Sequence, residues 1–322
     1  MARRLRAPLT FSLAAALAAC SGADSDDAPC DRACVVGITD SYLAALAMHD
    51  PSAAPLAETV AFVENLERLK PGEGLWKTAT GGKGGFAIYV PDPVLQQAGW
   101  IGLVEREGEP VLLALRLKLD DRKIVEAEHI VAEPAGGNLR NLVQVRRGLL
   151  APIPEDRRRS HGELIRIGAS YYDALDDNDG TLMPFAPDCQ RIENGMITAG
   201  EGQAPPPNAE PGQPRVASDC AAQISSQAFV YIDRIENRRM IAADPVTGLV
   251  MGLSHFRHPM TNLPYKVTLA DGSTAERHRS NMPYEPFDMP AAHIFKVGPD
   301  ELVHEIEAVG AVAPHNSPTG WE

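Results

Sequence analysis

Beyond its first twenty residues the chain has no apolar run approaching 18 residues, so no transmembrane helix is expected there. It also lacks a basic excess. Lys and Arg number 30 against 43 Asp and Glu, a net charge of −13, and a nucleic-acid binder would need a basic footprint. Several catalytic signatures are missing as well. There is no GxSxG elbow, no HExxH pair, no phosphate-binding GxxxxGK[ST] loop and no CxxC pair. These absences argue against an elbow-type serine hydrolase, a zincin, a P-loop nucleotidase and a thiolate zinc site, and no cofactor is expected. The acidic stretch Asp176-Asp177-Asn178-Asp179-Gly180 fails as a calcium loop, because Leu175 and Ala186 stand where the first and last ligands should be. His255 and His258, at i and i+3, would lie on opposite faces of a strand and make a poor metal pair.

What is present begins with a targeting pattern. Arg3, Arg4 and Arg6 precede an apolar run from Leu9 to Ala19 that is too short to cross a bilayer. The run ends Leu17-Ala18-Ala19-Cys20, which resembles the lipobox of bacterial lipoproteins. On that resemblance residues 1–20 are an export signal and Cys20 is lipidated. Ser21 beside it implies the outer membrane, and residues 21–33 form an acidic, disordered tether. The only membrane partner expected is the bilayer holding that lipid. Cys30, Cys34, Cys189 and Cys220 remain, an even number that favours disulfides in an exported chain. A Cys189–Cys220 bond would close a Pro/Gly-rich excursion and Cys30–Cys34 would be local, but spacing alone leaves the connectivity open.

The main internal signal is a duplication. Residues 41–65 align without gaps on 170–194, an offset of 129, with nine identities: Ser, Tyr, Ala, Leu, Asp, Pro, Ala, Glu and Asn. So long a period suits two copies of a small domain, here residues 34–150 and 151–322. Each copy opens on an apolar stripe of helical period, Val35, Ile38, Tyr42, Ala45 and Leu46, then Leu164, Ile167, Tyr171, Ala174 and Leu175. Breakers follow at Asp50-Pro51 and Asp179-Gly180, then a strand ending at Glu64-Asn65 or Glu193-Asn194. Further strands are predicted over 86–90, 100–105, 111–119 and 124–131, and over 228–233, 248–258, 291–297 and 302–309. The second copy carries two insertions, 199–219 and 259–290, long enough to suggest functional loops.

Helices followed by antiparallel hairpins make an α+β pattern. The segment YYDALDDNDGTLMPFAPDCQRIENG resembles the opening of NTF2-like, or SnoaL-like, domains: a Tyr on helix 1, an acidic-Gly break, F-A-x-D, and a first strand with an acidic residue. GLV, HIFKV and IEAVG in the second copy are similar to a little-characterised secreted subgroup. The resemblance covers roughly residues 34–310. It implies two tandem cones, each with helices packed on a curved, mainly antiparallel sheet, that pack as an intrachain pseudo-dimer. The superfamily holds dehydratases, isomerases, hydrolases and non-catalytic binders, so the fold leaves the activity open.

Within that frame Glu193 falls at the general-base carboxylate of the ketosteroid isomerase pattern, sharing a strand face with Arg191. An apolar cone would raise its pKa toward working pH. Tyr172 and Asp173 replace Leu43 and Ala44 of the first copy, and a Tyr-Asp pair on helix 1 is similar to scytalone-dehydratase-like members, where it works with two strand histidines. His255 and His293 are the matching candidates, and His293 stands where the first copy has Leu115. Tyr171, Arg191, Arg257 and Phe295 are the expected ligand-contacting residues. The second copy is therefore the expected working one and the first a degenerate partner. Two functions remain: a cofactor-independent dehydratase, isomerase or hydrolase of a small, largely apolar molecule, or an envelope lipoprotein that binds such a ligand, or a protein, without turnover.

Overall fold

The computed structural model describes residues 29–137, 139–204 and 215–322. The presumed signal with Cys20, residues 21–28 of the expected tether and residues 205–214 of the first insertion lie outside them, whereas residues 29–33, also expected in the tether, are folded: Cys30 is buried, Asp31 caps α1 and the helix starts at Arg32. The first unit runs α1 (Arg32–Ala47), β1 (Leu56–Glu64), β2 (Glu67–Leu69), α2 (Leu75–Thr78), β3 (Ala79–Gly81), β4 (Ala87–Asp92), β5 (Gln97–Arg106), β6 (Glu109–Asp120) and β7 (Lys123–Ala132). The short α3 (Arg147–Leu150) follows. The second unit runs α4 (His161–Asp177), β8 (Phe185–Glu193), β9 (Met196–Ala199), α5 (Cys220–Ser225), β10 (Arg234–Asp244), β11 (Leu249–His258), the hairpin β12 (Tyr265–Thr268) and β13 (Thr274–Arg277), β14 (Phe287–Val297), β15 (Val303–Gly310) and β16 (Ala313–Pro314).

Both sheets have one plan. The first is ordered β2-β1-β7-β6-β5-β3 with β4 also on β5, and the second β10-β11-β14-β15-β8-β9 with β16 on β14. Matched strand by strand, β1, β7, β6, β5 and β4 correspond to β8, β15, β14, β11 and β10. Each sheet is antiparallel except where its first long strand runs parallel to its last, β1 on β7 and β8 on β15. The architecture is thus the expected α+β one, a helix on a curved mixed sheet, made twice.

The shared residues explain the shared geometry. Asp50 and Asp179 each cap a following 3₁₀ turn, accepting bonds from the backbone N–H and hydroxyl of Ser52 and Thr181. Asn65 and Asn194 take positive φ at the hairpin after the first strand. Their side-chain amides clamp the last strand at Val131 and Gly310, with one bond given and one accepted in each case. Helix α4 starts on a capping box, Ser160 with Glu163.

Strand alternation sorts the core into three layers. On β6, Val111, Leu113, Leu115 and Leu117 face α1, while Leu112 and Ala114 face the second sheet. That central layer joins Ile88, Ile101 and Ile130 of one unit to Ile241, Met251 and Ile294 of the other. Gly99 lets the two sheets approach there, since a Cβ would stand 2.4 Å from Met251 Sδ and 3.2 Å from Ile241 Cδ1. The bidentate Arg239–Glu128 pair crosses the rim of the same interface, at 2.8 and 2.7 Å.

One predicted strand is corrected. Residues 228–233 form turns, and the edge strand begins at Arg234. Their carbonyls bond outside any ladder: Ala228 accepts from Tyr265 Oη and Val230 from Asn262 Nδ2. The 259–290 insertion, which supplies both donors, thus holds this segment out of the sheet.

Candidate functional site

The two cones end differently. In the first, Tyr42 Oη lies 2.9 Å from His129 Nε2, and His129 Nδ1 lies 3.0 Å from Glu64 Oε2. Glu64 also accepts the Leu75 backbone N–H at the start of α2. This presents Trp76, whose ring packs edge-on against Tyr42 at 5.1 Å, and Phe62 closes on His129 at 4.8 Å. Trp76 is 1% exposed, so the indole plugs this cone.

The second cone holds a cavity of about 230 Å³. Register relates it to the first. Glu64 pairs with His129 and Leu115 with His129, while Glu193 pairs with Ala308 and His293 with Ala308. Ala308 therefore stands in the place of His129, and His293 in that of Leu115. The second unit has moved its histidine one strand over and left a methyl group where the imidazole was. Tyr171, Glu193, Ala308 and His293 all line the cavity, with Phe229, Tyr231, Phe256 and His258 opposite.

Each polar lining group has a defined setting. The Tyr172 hydroxyl lies 3.4 Å from His293 Nδ1, and the imidazole is parallel to Phe295 at 6.0 Å. Burial, helped by the Arg191 charge, pushes the His293 pKa down to about 3. His258 is stacked on Phe287 at 4.1 Å with Tyr231 at 5.4 Å, and burial brings it down to about 4. Its Nδ1 has no hydrogen-bond partner among the described residues. Both rings are thus neutral near pH 7. Burial raises the Tyr171 pKa, which keeps the phenol protonated.

Arg191 is buried behind this wall. Its Nη1 donates to Tyr171 Oη at 3.4 Å, its Nε to Thr198 at 3.0 Å and its Nη2 to Gln223 at 2.5 Å. Its Nε also lies 3.0 Å from Glu193 Oε1, and its guanidinium lies over the Phe229 ring at 5.0 Å. The Glu193 side chain is 42% exposed, at the mouth of the cone rather than sealed in it.

The segment between α5 and β10 builds the remaining wall. Residues 228–233, which carry Phe229, Tyr231 and Ile232, are tied to β8 through α5 by the Cys189–Cys220 disulfide and by Gln223 on Arg191. Cys30 and Cys34 form the other disulfide. Ala135, from the segment after β7, and Val312 of the tail complete the rim, with the Ala135 N–H bonded to Asn194 O.

Six of the nine anticipated residues do not line the cavity. His255 and Arg257 occupy the opposite face of β11 from Phe256 and His258, because strand side chains alternate. They join Asp288 in a buried cluster that also holds His315 and the tail at Ser317. Asp173 is 62% exposed and paired with Arg238. Tyr172 is buried behind His293, its hydroxyl fitting against Gly252, where a Cβ would come within 2.6 Å. Phe295 and Arg191 support the wall without lining it. Asp188, on the exposed edge, bonds His304. His258 and Tyr231 were not among the expected residues. The parity of His258 with Phe256 was the available signal, whereas Tyr231 sits in the misassigned segment. Among the described residues no cluster of three or more His, Cys, Asp or Glu could hold a metal ion, and no helix is long and apolar enough to cross a membrane.

Among the described residues the molecule is a tandem of two helix-on-curved-sheet cones, the first filled by Trp76 and the second holding the cavity. A family model for a domain of unknown function, DUF8021, matches residues 157–310, the second unit. A comparison with curated proteins finds no match. Among solved structures the chain is similar to an NTF2-like protein from Burkholderia thailandensis at 16% identity, over 48% of this chain and 92% of that one, with a TM-score of 0.24. It is also similar to SalBIII, an epoxide hydrolase/cyclase-like enzyme of pyran ring formation in the polyether salinomycin, at 13% identity over 48% and 96% and a TM-score of 0.28. AusH from Aspergillus nidulans aligns at 10% identity over 50% and 87%, TM-score 0.25. Likenesses this distant transfer no residue role.

Proposed function

We propose that the second unit takes up a small, neutral, largely apolar molecule and shifts a proton on it without a cofactor, as a dehydratase, isomerase or hydrolase does. The carrying observation is the open cone on which Glu193, Tyr171, His258 and His293 converge while its twin is plugged. The cavity is smaller than a drug-sized pocket and mostly apolar, with few polar groups, which suits a small ligand. Glu193 would accept the proton. The Tyr171 O–H, with Arg191 donating to its oxygen, would stabilise the developing oxyanion, and the proton would return from Glu193 to the neighbouring carbon or to water.

The test follows proton–deuterium exchange at the α-carbon of 2-tetralone, a neutral enolisable ketone, by NMR in D₂O. Acceleration by the full chain, reduced at least ~100-fold in Glu193→Gln, is expected for a general base. Exchange at the solvent rate alone would end the catalytic part of the proposal. Retention without turnover is the second reading. It is favoured by the weak basicity of both histidines and by the ion pair that occupies Glu193.

We also propose export and lipid anchoring in the outer membrane. This rests on the Arg3–Cys20 pattern and on Ser21 beside it. Incorporation of labelled palmitate, lost in Cys20→Ala, is the expected result, and an unlabelled wild-type chain would contradict it.

A further inference from the structure

The two units repeat one turn and cover it differently. Asp92-Pro93-Val94, after β4, and Asp244-Pro245-Val246, after β10, are register equivalents. Asp92 pairs with Gln97 and Asp244 with Leu249, and those partners pair with Lys118 and Lys296, each three residues beyond Leu115 and His293. Both aspartates are buried and hold their turns by accepting backbone N–H groups, of Val94 and Leu95 at 2.9 Å and of Val246 at 3.1 Å. Each is also bound by the start of the other unit's helix, Asp92 by His161 and Asp244 by Arg32. Both turns therefore stand at one end of the molecule, where the chain enters the fold. Cys30 marks that entry and exchanges two hydrogen bonds with Gln96, at 2.9 and 2.8 Å.

In the second unit the linker crosses the turn. Ile153 is buried, its N–H bonds Val246 O at 2.8 Å, and Val246 is half-buried. The next residue there is Thr247, whose hydroxyl bonds back to Asp244. The first unit has Leu95 instead. Val94 and Leu95 are 68% and 39% exposed, the only sequence neighbours among the large apolar side chains exposed in the described residues. Counting the repeat offset of 129 back from Ile153 reaches Asp24, within SGADSDDAP, a stretch with no aliphatic side chain larger than alanine or proline. That stretch has nothing with which to cover the tip as Ile153 covers its twin, yet a buried carboxylate holds the tip in place. The same stretch leads back to Cys20. Ten residues lie along the path from Cys20 to Cys30, a reach of at most ~36 Å. A lipid on Cys20 would keep the tip at an effective concentration on the order of millimolar at the bilayer, so a weak apolar contact suffices to seat it. We propose, resting on the lipid-anchor reading above, that Val94 and Leu95 form a membrane-contact tip that seats the first unit on the bilayer holding that lipid.

The experiment reconstitutes the mature lipidated chain in phosphatidylcholine vesicles with brominated acyl chains, which quench tryptophans that reach the acyl boundary. Mass spectrometry first establishes the lipid on Cys20. Leu95→Trp places a reporter in the tip, and Tyr284→Trp, at an exposed position of the 259–290 insertion, is the control. Val94→Trp serves if Leu95→Trp fails to fold. The tip reporter is expected to be quenched at least ~2-fold more than the control, as a tryptophan at the interface would be. Equal quenching with the lipid in place overturns the contact and leaves the anchor standing. Tip emission that shifts to the blue with rising protein density but escapes the bromine means that a second copy covers the tip, and this also overturns the contact. A chain without lipid ends the anchor reading and this inference together.

Discussion

The two units share a strand order, a register and nine aligned residues, yet one is a solid core and the other a walled cavity. The difference traces to three substitutions of volume. Trp76 enters the first cone, His129 becomes Ala308, and Leu115 becomes His293. Closing residues 228–233 over the second cone then needs the 259–290 insertion and a disulfide, neither of which the first unit has in the equivalent place. A duplicated fold can thus keep its hydrogen-bonded frame and exchange only what fills the cone. The identical residues belong mostly to the frame, while the replacements determine whether anything can bind.

The comparison can be broken most strongly at Trp76. Trp76→Ala should destabilise the first unit by about 3–5 kcal/mol through the void it leaves, read from chemical denaturation. A cost near zero would show that the first cone is not packed by this indole. Next are the disulfides. Removing Cys189–Cys220, sequence separation 31, should cost ~4 kcal/mol and release the cavity wall, against ~2 kcal/mol for the local Cys30–Cys34 bond with separation 4. Equal losses on cysteine-to-serine replacement would mean that the wall is held by other contacts.

The third prediction concerns pH. His258 and His293 are held at about 4 and about 3 in the folded chain, below the ordinary 6.5. As pH falls below 6.5 the unfolded chain takes up protons that the folded one cannot, so stability is lost over the window from 6.5 downward. Together the two should steepen the decline by ~2 kcal/mol per pH unit between pH 6 and 5. Urea unfolding of His258→Gln/His293→Gln should show a flatter profile, and an unchanged slope would remove these histidines as its source. The smallest effect sharpens the comparison from the other side. Asp50→Ala and Asp179→Ala should each cost about 1 kcal/mol, and equally, if the caps are truly frame residues. Differential scanning calorimetry that resolves the two units would reveal any inequality.

Much of the frame was legible in the sequence. The Tyr42/Tyr171 stripe, the breaks at Asp50 and Asp179 and the strand ends at Asn65 and Asn194 are local signals, and each has a local hydrogen-bond or packing cause. The gain of His293 over Leu115 was readable by aligning the copies, and the structure places that residue on the cavity. His258 rather than the anticipated His255 lies on the cavity, because alternation tells which residues share a face but not which face turns inward; three-dimensional packing supplies that sign. Residues 228–233 have strand-like composition, but the donors that take their carbonyls lie more than thirty residues on, at Asn262 and Tyr265. The plug was hidden for a related reason. Trp76 and Glu64 are brought together by a turn whose register periodicity does not encode.

By itself, then, the sequence determined two copies of one α+β frame and the apolar faces of their helices, since these rest on periodicity and on side chains that bond to their own backbone neighbourhood. Tertiary structure alone decided which cone is open and which side chains meet inside it. Those outcomes depend on volumes contributed by strands distant in sequence, where one indole more, or an alanine in place of an imidazole, separates a core from a cavity.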